Sequence, residues 1–237
     1  MYLEGNLPNK NIVDCVALGR RNKALDGLRG WLAVVVCVYH AFLIPEGETI
    51  FPIFFAPIYQ TQSVPYKLLL SVFNGDLAVV MFFVMSGAVL FASIVHTDSR
   101  SDHILQTILD FTLKRIFRIY PVVILSLVIY TVIYFFLQSV FPNTFHMYYG
   151  ARQLIYNMLL LKIDMYGVSW SLQVEIEAIP FIILSYFVFR RFGLHGLLFL
   201  SSFSLIAIEA PWLTFNLPGL NQNFFLFLMG MLATGSV

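Results

Sequence analysis

Long apolar runs alternate with short polar connections along this chain, and five of them reach or approach the ~20 residues that a helix needs to cross a hydrocarbon core. The first extends from about Leu28 to Leu43 and ends before Pro45; the second, Leu77 to Val95, contains no charged residue. A third runs from Ile119 to Phe141, with Pro121 placed near the expected helix start, where a missing N–H costs least. The fourth covers about Trp170 to Phe189 and the fifth Phe192 to Leu213, while a sixth begins at Asn223 and is still apolar at Val237. Leu154–Leu161 is too short to cross and is expected to be re-entrant or interfacial. The pattern predicts an all-α transmembrane bundle with about six spans.

Composition agrees. Apolar residues make up 59% of the 237 positions and charged residues 11%, and the mean hydropathy is +0.81. A soluble domain carries about a quarter charged residues, so much of this surface must face lipid. A net charge of +1 gives no reason to expect a nucleic-acid partner. The two cysteines, Cys15 and Cys37, form neither a disulfide framework nor a metal-ligand pattern, and no metal is expected. Residues 1–24 read as a polar segment and residues 25–237 as the membrane domain. No short apolar core follows a charged start, so the first span, rather than a cleaved leader, is expected to direct insertion.

The distribution of charge sets an orientation. Lys10, Arg20, Arg21, Lys23 and Arg29 precede or open the first span; Arg100, Lys114, Arg115 and Arg118 lie between the second and third; Arg190 and Arg191 lie between the fourth and fifth. With these three regions cytoplasmic, all 14 basic residues except Lys67, Arg152 and Lys162 are inside. The expectation is therefore a multi-pass protein of the plasma or inner membrane with a cytoplasmic N-terminus.

Ionisable groups at membrane depth are costly and ask for a reason. Arg29 and His40 are eleven steps apart, which at ~100° per residue places them on one helical face with ~16 Å between them along the axis. Arg29 read alone is an interfacial anchor, and His40 read alone is a polar group seeking hydrogen bonds. Glu175 opens the fourth span at a depth expected to match that of His40. A carboxylate beside a histidine suits general-base chemistry, although an acidic residue is also favoured at any helix start. Arg115 and Arg118, three apart, face one way and suit phosphate binding; positive-inside topology would place them there equally well. Ser86-Gly87, within the second span, reads by default as close helix packing.

Together these pieces resemble the acyltransferase-3 family of integral membrane acyltransferases. Leu25-Asp26-Gly27-Leu28-Arg29-Gly30 followed by His40 is similar to the family's basic-residue–ten–histidine motif. The second-span stretch NGDLAVVMFFVMSGAVLF, with Ser86, Gly87 and Phe91, resembles its Ser-Gly-x-x-x-Phe element. Arg115-x-x-Arg118 followed by Ile119-Tyr120-Pro121, and Trp170-Ser171-Leu172-x-x-Glu175, resemble two further family elements in the family's order. Ile176 stands where many relatives carry a second acidic residue, and no role passes to Glu177.

The resemblance implies transfer of an acyl group, commonly acetyl, from cytoplasmic acyl-CoA to a hydroxyl of a glycan or lipid-linked sugar. Acyl-CoA would be a co-substrate, with no permanently bound cofactor. His40 carries over as the catalytic residue, and Arg29, Arg115 and Arg118 as residues of the acyl-CoA side. The resemblance also implies further spans beyond Val237, so the domain is expected to be incomplete at its C-terminus. Two other functions fit the residues alone. One is a transporter or channel component using His40 and Glu175 as a polar relay, although no inverted repeat is evident between residues 25–140 and 150–237. The other is an inactive truncated relative.

Overall fold

The computed structural model describes residues 23–42, 64–98, 103–140, 150–165, 167–210, 212 and 217–235. Residues 1–22, with Cys15, Lys10, Arg20 and Arg21, lie outside the described residues, as do Arg100 and the expected segment ends Leu43, Phe141, Leu213 and Val237. The described chain is all α: α1 (Lys23–Phe42), α2 (Val64–Val72), α3 (Gly75–Asp98), α4 (Ile104–Val140), α5 (Ala151–Met158), a single 3-10 turn (Gly167–Ser169), α6 (Trp170–Ala207) and α7 (Pro218–Gly235). By length and composition, α3, α4 and α6 can each cross a membrane.

The expected third span begins too late. Helix α4 starts at Ile104 and runs for 37 residues, so Lys114, Arg115 and Arg118 lie inside it and Pro121 is an interior residue. Hydropathy falls before Ile119, but Lys and Arg are straight-chain helix formers and do not stop the backbone ladder. A buried stripe at intervals of four, Thr107, Phe111, Arg115, Ile119, Val123 and Leu127, carries the packing across the polar stretch. Pro121 points outward on the exposed side of the same helix.

Helix α6 joins the expected fourth and fifth segments through Gly193, whose backbone is non-helical at φ 61° and ψ −149°. Such a conformation is open to glycine and strained for other residues. The chain folds back there: a Cβ on Gly196 would lie 3.0 Å from the Val188 carbonyl oxygen, whereas residues eight apart in a straight helix are ~12 Å apart. The returning half ends beside the start of α7, where the Asn221 amide donates to the Ile208 carbonyl at 3.0 Å. The six expected apolar segments therefore correspond to α1, α3, α4, the two halves of α6, and α7. The expected short segment is α5, eight residues long and unable to span.

One core holds α3, α6 and α7 together. Phe83, Leu90, Phe91 and Ile94 of α3 pack with Ile182, Tyr186 and Leu197 of α6 and with Phe227, Leu228 and Met231 of α7. Backbones rather than side chains meet at its centre: a Cβ on Gly87 would fall on the Phe227 carbonyl, and one on Gly230 would lie 2.7 Å from the Ala88 nitrogen. At one end of this core the Asp98 carboxylate accepts from the Tyr186 hydroxyl at 2.6 Å and from the Arg190 guanidinium at 3.2 Å, tying the end of α3 to α6. Helix α1 lies on α3 through Leu32, Val35, Ala78 and Met85.

The connection from α5 to α6 is built around Asn157, which is 1% exposed. Its amide donates to the Gln153 carbonyl at 2.9 Å and to the Asp164 carboxylate at 2.6 Å, while its side-chain oxygen accepts from the Met165 N–H at 3.1 Å. The Asn157 hydrogen bond holds the Asp164 carboxyl below its usual range. A carboxyl depressed in the folded state contributes stability above its unfolded value and loses that contribution as pH falls through the folded one. Hydrogen exchange in residues 157–165 should therefore accelerate on acidification below the ordinary carboxylate range. In Asp164→Asn that added acid sensitivity should be absent.

Candidate active site

Each polar side chain is placed by the helix that carries it and by the register between helices. The Tyr39 hydroxyl donates to the Asp76 carboxylate at 3.2 Å, which fixes the end of α1 against the start of α3. The two helices run antiparallel. Ten residues back along α1 stands Arg29, and ten residues on along α3 stands Ser86, so both lie ~15 Å from the Tyr39–Asp76 contact at a common level of the bundle.

Two more helices bring charge to that level. The Ser86 hydroxyl donates to Glu175 Oε1 at 3.3 Å, and the Arg115 guanidinium reaches the same oxygen at 3.9 Å. The Arg115 side chain is 9% exposed and that of Glu175 21% exposed. Arg29, half-buried, and Arg118, exposed, are close enough for their charges to act on Arg115. Three cations therefore act on one neighbourhood, in which Arg115 is paired with Glu175, an arrangement with capacity for an anionic ligand.

This level lies inside the bundle. Arg115 is eleven residues into α4, ~16 Å from its start, and Ser86 is ~18 Å along α3 from the Asp98–Arg190 pair at one end. Arg115 is buried between helices instead of standing at a helix start.

His40 is exposed at the far end of α1, with its ring edge-on to Tyr39 at 5.7 Å between centroids. Glu175 is brought to Ser86 and Arg115, so the register places it ~15 Å from the level of His40. The expectation that Glu175 shares His40's depth is corrected on this point. Helix α6 starts beyond the level of Ser86 and carries Glu175 inward by five residues, to the level of Arg29. Among the described residues, Asp76 supplies a carboxylate near His40's level, hydrogen-bonded to the neighbouring Tyr39.

The remaining motif residues divide by role. Gly87 and Phe91 belong to the core, with Phe91 edge-on to Phe189 at 4.9 Å. Trp170 packs edge-on against Phe83 at 5.8 Å, next to half-buried Ser171, and so fixes the entry of α6 that carries Glu175. Asp26 lies in the first turn of α1, where negative charge is favoured. A Cβ on Gly27 would meet nothing within 4 Å among the described residues. The Ser86–Glu175 hydrogen bond and the Tyr39–Asp76 contact are not expected from the sequence. The available signal for each was a polar residue at the edge of, or within, an apolar run. Among the described residues no group of three or more His, Cys, Asp or Glu side chains could hold a metal.

A cavity of about 150 Å³ lies between α4 and α5, lined by Tyr130, Tyr134 and Phe135 on one side and by Gly150, Leu154 and Met165 on the other. Tyr130 is fifteen residues beyond Arg115 along α4, which places the cavity toward the His40 end of the bundle.

Three helices long and apolar enough to cross a membrane, with a buried arginine paired to a carboxylate between them, are features of an integral membrane helical bundle. Over residues 22–234 the chain matches the family described as an acyltransferase domain, and it belongs to this acyltransferase 3 family. No curated protein and no solved structure matches it. Membership makes the chain an acyltransferase acting on groups other than amino-acyl, with an acyl donor and an acceptor.

Proposed function

We propose that this protein transfers an acyl group, in the simplest case acetyl, from acyl-CoA to a hydroxyl of a glycan or lipid-linked sugar. The observation that carries this reading is buried Arg115, with Arg29 and Arg118 near enough for their charges to act on it, in a chain of this family. CoA phosphates are multiply charged, and guanidinium groups recognise phosphate oxygens through paired N–H donors. The donor would enter from a cytoplasmic face, as the positive-inside pattern of Arg190, Arg191 and the N-terminal basic residues supports. Six spans and a cytoplasmic N-terminus complete that topology.

His40, ~16 Å from Arg29 along α1, would act as general base. The gap suits an extended arm reaching from phosphates held at the arginines to a thioester near His40. His40 would take the proton of the acceptor hydroxyl as its oxygen attacks the thioester carbonyl; the C–S bond then breaks, and the proton held by His40 passes to the sulfur so that CoA leaves as the thiol. The acceptor would approach from the His40 end, where the aromatic cavity between α4 and α5 offers an apolar wall. A polar relay through His40 and Glu175 gains no support from their ~15 Å separation.

Arg115→Ala should weaken CoA binding by roughly 10- to 100-fold, the range for losing one charge-assisted hydrogen bond. Titration of CoA into the purified protein in nanodiscs measures this. An unchanged affinity would remove Arg115 from the donor site.

A further inference from the structure

Resting on that reading of the donor site, we infer that Glu175 is an internal counter-ion that occupies Arg115 when the site is empty and gives it up when an anionic donor binds. Glu175 is thus a positioning residue acting through Arg115.

Three features of the geometry lead there. The contact between Arg115 and Glu175 Oε1 is long, 3.9 Å, at the outer limit of an ion pair and beyond hydrogen-bond range. The carboxylate has another holder, the Ser86 hydroxyl at 3.3 Å, so it stays hydrogen-bonded when Arg115 turns away. The charges around Arg115 are also mixed, because Glu175 acts on it most strongly while Arg118 and Arg29 act on it with like charge. A guanidinium this buried, 8% exposed, is unfavourable without an anion nearby. Glu175 supplies that anion in the empty protein, and a phosphate brings more charge and better geometry to the same group.

Counter-ion exchange has a directional consequence. A residue that competes with the ligand for its binding group lowers the apparent affinity by the fraction of time that group is engaged. Glu175→Gln retains the side-chain shape and a hydrogen-bond acceptor for Ser86 but removes the competing charge. It should therefore tighten anion binding, whereas loss of a merely structural residue would weaken it.

The test is titration of full-chain protein in nanodiscs with two probes, CoA and inorganic pyrophosphate. Glu175→Gln should bind both roughly threefold to tenfold more tightly than wild type. Ser86→Ala, which loosens the carboxylate without removing it, should change affinity by less than Glu175→Gln. In an Arg115→Ala background the gain from Glu175→Gln should vanish, because no group remains to be released. Weaker or unchanged binding of both probes by Glu175→Gln would overturn the inference, as would a gain that persists without Arg115. If wild type binds pyrophosphate with this pattern but does not bind CoA, counter-ion exchange stands and the acyl-CoA reading fails.

Discussion

His40→Ala is expected to lower acyl transfer by roughly 10²–10⁴-fold, the contribution of a positioned general base. The fold should not follow it down. His40 is exposed at the end of α1 and touches the ring of its chain neighbour Tyr39, so its removal should cost no more than ~0.5 kcal/mol. Donor affinity should also be preserved, because Arg29, Arg115 and Arg118 stand ~15 Å away. The expected signature is thus a stable protein that binds acyl-CoA and fails to turn it over. Turnover by His40→Ala within twofold of wild type would show that some other group takes the proton.

Substitution of Gly87 should have a large effect on stability. Its Cβ would land on the backbone carbonyl of Phe227, and a backbone held in α7 cannot swing aside as a side-chain tip can. Gly87→Ala should cost about 3 kcal/mol or more, the upper part of the overpacking range, and Gly230→Ala should behave alike from the other side of the contact. Gly27→Ala provides the contrast. That glycine lies exposed in α1 with nothing among the described residues within 4 Å of a new Cβ, so alanine should stabilise the helix by ~0.5–1 kcal/mol. Thermal unfolding followed by size-exclusion chromatography separates the three variants. Equal melting temperatures for Gly87→Ala and wild type would mean that α3 and α7 do not approach as closely as described.

Periodicity and hydropathy brought the helical segments within reach of the sequence because lipid exposure writes a long apolar run for each. They misjudged α4 for the same reason. Hydropathy registers where lipid contact ends, whereas a helix ends where its backbone ladder ends, and Lys114, Arg115 and Arg118 interrupt the former without interrupting the latter. The break at Gly193 was legible only as a pair of basic residues, Arg190 and Arg191, between two apolar runs.

The site was legible in its residues more than in its pairings. A shared face for Arg29 and His40 follows from helix geometry within one element. Which carboxylate meets which cation depends on the register between helices, and nothing local to Glu175 specifies that Ser86 and Arg115 will stand opposite it. Ser86-Gly87 illustrates the difference. Close packing was the natural reading of both residues, and Gly87 does pack against α7, while Ser86, one position earlier and therefore turned by ~100°, faces Glu175.

Donor binding and acyl transfer are thus assigned to two separate levels of the bundle, that of the arginines and that of His40. Acetyl-CoA binding and the release of free CoA, measured on the same nanodisc samples of wild type, His40→Ala and Arg115→Ala, test this assignment most directly. His40→Ala should bind like wild type without turnover, and Arg115→Ala should bind more weakly with turnover recovering as acetyl-CoA is raised. Loss of binding in His40→Ala, or full binding in Arg115→Ala, would contradict it.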